Sequence, residues 1–596
     1  LAAQGVTRLE QRKRILWVLI LLTSLLLLLA VRLGWIQWMA ARKNWTAAGY
    51  SLNEMAVRQR QLGIQLDSGR GHFTDRHGHL LTGHIKWSPV LFPIHTGTSA
   101  RQMQRAAALL HTSEKELSHT WSTIKQPYIW KNIHTQTADI QPSKEWTNLG
   151  IAGVALLPFA QRYPSTSSGS QWLGFISERP DYVVRAKGSL GTQHLPTNVK
   201  VGSAGLERSF DSLLQSQGVT EAMVMVDGRK QPLPKTPSRI SSPTNHYYPL
   251  RLRTTIDQGI QSRLEQMTEN MHMKEGAIVV LDAHQGDIVA MVSRPFFNPQ
   301  HIELDQGNWS NRAVKAAVPG SIFKSIIAAA ALDTNKAKPS ENFECHGDYG
   351  KYNLSCSAIH GHGRITLEEG FAKSCNIVFA SLGERLTSQE IERTADQLGM
   401  GRKIGWQEQH FLGGGNLQQI DQEERGVIFA KANSNTDGGT RAQAAIGQRD
   451  VLVTPLQAAN LVVTLLHGGK VMSPRLVSEI RYADGSLMAS LEPHTSISTQ
   501  GKVSGRTSKK LLRWMREVVT EGTGKSLQNA KWNLAGKSGT AQVERSGHKL
   551  NDQWFIGYGP TEQPKYAVAV LVQSRTPGSE HQATAVFKEA MNQLAR

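Results

Sequence analysis

Cysteine is almost missing from this chain: three residues, Cys345, Cys356 and Cys375, in 596. That excludes a small disulfide-framed scaffold and a fold built on repeated paired-cysteine zinc modules. Acidic residues are scarce too: 48 Asp and Glu face 67 Lys and Arg, a formal net charge of +19. Such a surplus favours anionic partners such as acidic lipid, acidic polymer or nucleic acid. No zinc-finger, basic-zipper or aromatic-and-glycine RNA-binding pattern accompanies it, so nucleic acid is not expected. There is no internal repeat. Long apolar runs are missing everywhere but near the start; KYAVAVLVQ (565–573) is too short to span a bilayer and reads as a strand. With 39% hydrophobic and 19% charged residues, the chain has the composition of a folded protein of several domain-sized units.

The one long run is ILWVLILLTSLLLLLAV, residues 15–31, extended by Leu33 to Ile36. It is long enough to cross a bilayer. Arg8, Arg12, Lys13 and Arg14 precede it against one acid, Glu10, and Trp17 and Trp35 sit near its ends. The excess of positive charge predicts a cytoplasmic N-terminus, with everything after about residue 38 outside. The run is long for a cleaved signal and no small-x-small site follows it directly, so an uncleaved single-pass anchor is expected.

Beyond the anchor, residues 39–60 read as a polar helix, and 100–118 is helical in pattern. GRGHFTDRHGHLLTG (69–83) is strand-like with glycine turns. Residues 160–250 read as short strands and loops, with 232–244 an exposed loop or boundary. After about 252 the texture changes. GAIVVLDAHQGDIVAMVS (276–293) is two strands around Gly286, and 364–386 is mainly helical, opened by a Thr366/Glu369 capping box. A helix fits Thr454 to Leu466 with Pro455 in its first turn. Three strands (533–543, 553–559, 565–572) and a helix at 582–595 close the chain. The order of elements predicts an α+β fold.

The chemistry is carried by VPGSIFKSIIAAAALD, residues 318–333. Ser321 and Lys324 share a helix face. A serine hydroxyl needs a neighbour to take its proton, and a lysine can do so if burial lowers its pKa. The pattern S-x-x-K also occurs at Ser122/Lys125 and Ser546/Lys549, but only Lys324 is followed by an apolar run. Downstream come Ser374-Cys375-Asn376 and, in a strand pattern, Lys537-Ser538-Gly539-Thr540. Each alone reads as a cap or a turn. In this order, S-x-x-K, S-x-N and K-[S/T]-G make a specific set: a serine nucleophile, a lysine base, and groups that relay protons or hold substrate.

Through these motifs the sequence resembles the class B penicillin-binding proteins, membrane-anchored D,D-transpeptidases of bacterial cell-wall synthesis. The resemblance covers nearly the whole chain, including GSAGLERSFDSLL (202–214), LRTTIDQGIQ (252–261), HGHGRITLEEGFAKSCN (360–376), AIGQRDVLVTPLQAANLV (445–462) and QWFIGYGP (553–560). GRGHFTDRHGHLLTG followed by WSPVLFPI is similar to a sporulation-associated Gram-positive branch. The resemblance implies a cytoplasmic tail (1–14), an anchor (15–36), a β-rich pedestal or dimerisation region (39–250) and a transpeptidase domain (251–596) with a five-stranded antiparallel sheet flanked by helices. It implies that Ser321 is acylated and Lys324 is its base. Ser374 and Asn376 line the second edge of the cleft. Lys537, Ser538, Gly539 and Thr540 form the strand that holds the donor peptide, with the N–H groups of Ser321 and Thr540 as oxyanion hole. The third motif usually has Thr where this chain has Ser538; the hydroxyl is kept. No cofactor is implied. The implied ligands are D-Ala-D-Ala stem peptides of peptidoglycan and β-lactams, with membrane lipid and cell-wall synthesis proteins as partners.

Other readings weigh less. The class A β-lactamase pattern Glu-x-x-x-Asn is not found between Asn376 and Lys537, and no acidic glycosyltransferase motif appears. A D,D-carboxypeptidase differs only in accepting water. A weakly active scaffold or β-lactam sensor would acylate without cross-linking. Cys345, His346, Cys356, His360 and His362 lie close in sequence but lack the paired spacing of zinc sites, so no metal is expected. A Cys345–Cys356 disulfide, leaving Cys375 over, or free thiols, is expected instead.

Overall fold

The computed structural model describes residues 2–40, 51, 55, 57, 60–94, 98–130, 142–151, 153–164, 170–179, 200–227, 233, 239–303, 305, 307–430 and 437–596. Most of the helix expected over 39–60 and of the loop at 232–244 lies outside these residues. The first helix, Ala2–Trp35, runs on as a single π turn over Ile36–Ala40. Its segment Glu10–Trp38 has a mean hydropathy of 2.6 and is not buried by any of the other described residues. An apolar helix fully exposed on all sides is stable only in an apolar solvent, which is what an anchor requires.

The C-terminal half is built on one sheet. Its strands lie in the order Ile288–Arg294, Gly276–Asp282, Tyr566–Arg575, His548–Gly559, Ala535–Arg545, every neighbour antiparallel. The expected five-stranded sheet is therefore present, and the strand that carries Lys537 to Thr540 is its edge. Alternation along the strands splits the core into two layers. Ile278 and Val280 pack with Leu264, Val586 and Phe587 from helices Gln258–Asn270 and Gln582–Leu594. Ala277, Val279 and Leu281 face the opposite layer, which includes Ile326, Leu461 and Trp514. That layer holds helices Lys324–Asp333, Pro455–Leu466 and Gly505–Thr520. Pro455 and the Thr454 cap start their helix as expected, and so do Thr366 and Glu369.

The segment 100–118 is helical, as its pattern predicts, and divides into two helices. Ala100–Leu109 ends at His111, in the left-handed region (φ +53°), and Ser113 caps a new helix, Glu114–Thr123. This pair closes over Leu91, Trp121 and Ile151 in a small core of its own. A second small core joins strands Gln61–Asp67 and Thr220–Met225 through Leu66, Ala222 and Val224. Between these cores and the large domain lies a neck. Strand His72–Thr74 pairs in parallel with Arg251–Thr254, which pairs in turn with Val477–Arg481. Phe73, Trp172, Leu206 and Phe210 belong to the same core as the nucleophile helix. At the neck Glu207, fully buried, meets Arg70 at 2.9 Å and Arg162 at 2.6 Å and accepts a hydrogen bond from the Tyr163 hydroxyl at 3.0 Å. Burial raises the Glu207 pKa, but the two guanidiniums outweigh it and hold the carboxyl below its ordinary value.

Candidate active site

The turn before the nucleophile helix is tighter than the sequence suggests. Gly320–Phe323 form a single 3-10 turn and the α-helix begins at Lys324. In a 3-10 turn residues i and i+3 eclipse, so Ser321 and Lys324 stay on one side. Gly320 takes φ +55°, and a Cβ there would run into the carbonyl of Thr540. Strand and turn thus meet backbone to backbone, which brings the first and third motifs together. Trp554, on the next strand, donates its indole N–H to the Val318 carbonyl at 2.8 Å and locks the turn to the sheet.

The second motif sits between two helices, Leu367–Ala372 and Asn376–Arg385. Ser374 occupies the left-handed region at φ +57°. Such a backbone is costly for a non-glycine residue and is found where function demands it. It directs the Ser374 hydroxyl to a point 2.9 Å from the Lys537 Nζ and 3.3 Å from the Lys324 Nζ. Lys324 donates further to the Ser374 carbonyl and to Asn376 Oδ1, each at 2.7 Å. Lys537 donates to the Ser538 carbonyl at 3.0 Å. Both lysines are fully buried. They lie over aromatic faces, Lys324 5.6 Å from the Phe379 ring centre and Lys537 5.7 Å from that of Phe371.

Two ammonium groups in one dry site cannot both stay charged cheaply. Burial pushes Lys324 down to about 8, against the opposing pull of the Cys375 and Cys356 thiols. Lys537 is pushed well below its ordinary value by burial and then by the charge of Lys324. One expected contact is not made. The hydrogen bonds of Lys324 run to Ser374 and Asn376, and among the described residues none joins its Nζ to the Ser321 hydroxyl. Ser321 lines the cleft, Lys324 lies buried beneath it, and the second motif holds the lysine.

The structure gathers all eight residues picked from the sequence. Ser321, Ser374, Asn376, Ser538, Gly539 and Thr540 line a cleft of about 970 Å³, and the two lysines lie beneath it. The other two S-x-x-K serines are exposed, Ser122 on a helix and Ser546 in a hairpin turn. Three contributors were not read from the sequence. Thr523 meets the Ser538 hydroxyl at 2.7 Å, the Ser355 carbonyl receives the Asn376 amide at 2.9 Å, and His581 reaches the Gly539 carbonyl at 3.0 Å.

Of the two arrangements expected for the cysteines, the structure has the free thiols. All three are free and buried, and no disulfide joins Cys345 to Cys356. Instead Cys345, Cys356, Cys375 and His362 bring their ligand atoms within 4.8 Å of one another. Cys356 Sγ is 3.9 Å from Cys375 Sγ, and His362 Nδ1 is 3.6 Å from Cys345 Sγ and 3.5 Å from Cys356 Sγ. The edges of a tetrahedron of sulfur and nitrogen about Zn²⁺ are roughly 3.8 Å for S···S and roughly 3.5 Å for S···N. The donor set therefore suits zinc, where spacing along the sequence suggested no metal. Cys375 lies between Ser374 and Asn376, so an ion held there would brace the motif that holds Lys324.

The profile of a family described as "Penicillin binding protein transpeptidase domain" matches residues 276–592, more than half of the chain. The chain belongs to this family. This penicillin-binding protein is 26% identical over 592 residues to the stage V sporulation protein D of Bacillus subtilis, covering 96% of this chain and 83% of the relative. It is 23% identical over 571 residues to the peptidoglycan D,D-transpeptidase MrdA of Acinetobacter baumannii, covering 86% and 78%. It is 27% identical over 330 residues to the D,D-transpeptidase PbpA of Mycobacterium tuberculosis, covering 50% and 62%. Among solved structures, the penicillin-binding protein PBP2 of Helicobacter pylori matches with a TM-score of 0.62 at 20% identity, over 89% of this chain and 99% of that one. A chain from a peptidoglycan synthase complex that coordinates polymerization and crosslinking matches with a TM-score of 0.67 at 22% identity, over 98% and 97%. These likenesses establish a shared fold.

Proposed function

We propose that this penicillin-binding protein is a serine D,D-transpeptidase that cross-links peptidoglycan stem peptides and is acylated by β-lactams at the same serine. The observation that carries the reading is the Ser374 hydroxyl between two buried lysines, beside Ser321 and the edge strand. The Ser321 hydroxyl attacks the carbonyl between the terminal D-alanines. Its proton passes to Lys324, about a tenth of which is uncharged at pH 7 given a pKa of about 8. The N–H groups of Ser321 and Thr540 receive the oxyanion. D-Alanine leaves with the proton that Lys324 took up, relayed through Ser374 or Lys537. The amine of a second stem peptide then attacks the acyl-serine and regenerates the Ser321 hydroxyl. Ser538, Gly539 and Thr540 hold the donor peptide along the free strand edge.

The anchor fixes the protein in the cell membrane. In our reading residues 1–14 are cytoplasmic, residues 39–250 form the pedestal and residues 251–596 work outside. The charge before the apolar run supports that orientation. The likeness to a chain of a synthase complex supports partners among cell-wall synthesis proteins.

The test is intact mass of the full-length protein in detergent after benzylpenicillin, followed by incorporation of a labelled D-amino acid into stem peptides. One penicilloyl adduct, absent from Ser321→Ala and stable for many minutes, together with label exchange, is the expected result. An adduct on Ser321→Ala, or rapid turnover of the adduct, would sink the proposal.

A further inference from the structure

We infer that His581 is a positioning residue for the oxyanion hole: its Nε2–H holds the Gly539 carbonyl and thereby orients and polarises the peptide unit whose other end is the Thr540 N–H. This rests on the reading of Ser321 as the acylated nucleophile.

The protonation of the ring follows from its partners. His581 precedes helix Gln582–Leu594 and caps it; Nδ1 accepts from the Thr584 backbone N–H at 3.3 Å and lies 2.8 Å from the Thr584 hydroxyl. A backbone N–H can only donate, so Nδ1 carries no hydrogen. The hydrogen of the neutral ring is then on Nε2, which faces the Gly539 carbonyl at 3.0 Å. Burial lowers the His581 pKa and keeps the ring in this neutral form.

The peptide unit carries the effect onward. A trans peptide points its C=O and its N–H in opposite directions. With the Gly539 oxygen held by His581, the Thr540 N–H must point away from the imidazole. Within a strand a residue's own N–H and C=O face the same side. The Thr540 carbonyl lies against Gly320, so its N–H faces the side of the sheet edge where Ser321 stands. A donor on the carbonyl also draws charge through the amide and makes its N–H a better donor. There is little room for that peptide to adjust without consequence. A Cβ on Gly539 would sit 2.9 Å from the Pro319 oxygen and 3.0 Å from Ile322 Cγ2, so a tilt in the strand is felt by the nucleophile turn.

The helix cap alone does not require imidazole. Asp, Asn, Ser and Thr are the preferred residues there. What imidazole adds is a second nitrogen that reaches the strand, and this separates the two roles by experiment. His581→Asn keeps an acceptor for the Thr584 N–H but is too short to reach Gly539. His581→Gln places an amide N–H near the position of Nε2.

The test uses the full-length protein in detergent and benzylpenicillin with a ¹³C-labelled β-lactam carbonyl. Rapid mixing gives the dissociation constant and the acylation rate constant separately, and infrared difference spectra give the ester carbonyl band of the acyl-enzyme. The band is read only from molecules that have been acylated, so misfolded protein cannot imitate the effect. We expect His581→Asn to slow acylation about tenfold, less than outright loss of an oxyanion donor, with the dissociation constant unchanged to within about twofold. We expect its ester band at higher wavenumber, and His581→Gln to return both rate and band toward the wild-type values. An Asn variant with wild-type band and rate would overturn the inference, as would slow acylation with an unmoved band. A wild-type protein that benzylpenicillin never acylates would instead sink the reading of the site, and this inference with it.

Discussion

Ser374 holds a left-handed backbone at φ +57° so that one hydroxyl can serve two lysines, and Lys324 spends its hydrogen bonds on that residue and on Asn376. The nucleophile is therefore activated by a base whose position is set from the second motif. Its protonation sets the pH response. A protonated Nζ cannot accept the Ser321 proton, and burial brings Lys324 down to about 8. Acylation by benzylpenicillin should rise as pH increases from 6 and level off above about 8, as stopped-flow rates would record; a rate that is flat or falls over this range would rule out Lys324 as the base. At this scale the sequence was readable where residues stand at a fixed spacing on one element, as Ser321 and Lys324 do. It was unreadable where the contact is made in space. A lone histidine before a helix carries no signal of its own. The one available hint at His581 was an imidazole in a cap position where a smaller side chain would suffice.

Elements were legible where pattern and burial agree. The strands Gly276–Asp282 and Tyr566–Arg575 are nearly continuous apolar runs because both of their faces are buried, each against a different helix layer. The join between elements was not. Gly320 reads as half of an ordinary Pro-Gly turn, yet its φ of +55° and the nearby Thr540 carbonyl leave no place for a side chain. Gly320→Ala should cost about 1–2 kcal/mol from the left-handed backbone alone, and more from the clash. Thermal melting and slower penicillin acylation would register it, whereas an unchanged melt would refute the backbone contact. The thiol cluster was hidden for a similar reason. Cys345 ends one strand, Cys356 sits in a loop, His362 precedes another strand and Cys375 lies between two helices, so no local spacing repeats. Protein purified without chelator should carry about one zinc per chain by elemental analysis, and Cys375→Ser should lose most of it. Metal-free protein with unaltered melting on added zinc would return the cluster to three plain thiols.

For the molecule as a whole, the boundary expected near residue 250 is not a clean cut. Strand His72–Thr74 hydrogen-bonds to Arg251–Thr254, and Phe73 and Phe210 pack in the large core. Nothing local in GRGHFTDRHGHLLTG says which distant strand it pairs with, so this crossing of the expected border was not legible in the sequence. The buried charges around Glu207 hold this neck. Glu207→Ala leaves Arg70 and Arg162 facing a void and should destabilise by about 3–5 kcal/mol. Urea unfolding of the full-length protein would read this as a lower midpoint of the transition that also reports on Trp514 and Trp554, two buried tryptophans of the large core. A change confined to the two small cores would contradict a shared neck.

The neck sheet also has a consequence for how the protein is made. Its strands leave the ribosome in the order His72–Thr74, Arg251–Thr254, Val477–Arg481. At ~5–20 residues per second, roughly 20–80 seconds separate the first from the last. The first strand waits for its partner Arg251–Thr254 for less than half of that time, and Arg251–Thr254 then waits with its other edge unpaired until Val477–Arg481 is made. The order of synthesis thus leaves each edge of this small sheet open in turn, and the neck closes only when the last of its three distant segments has been made.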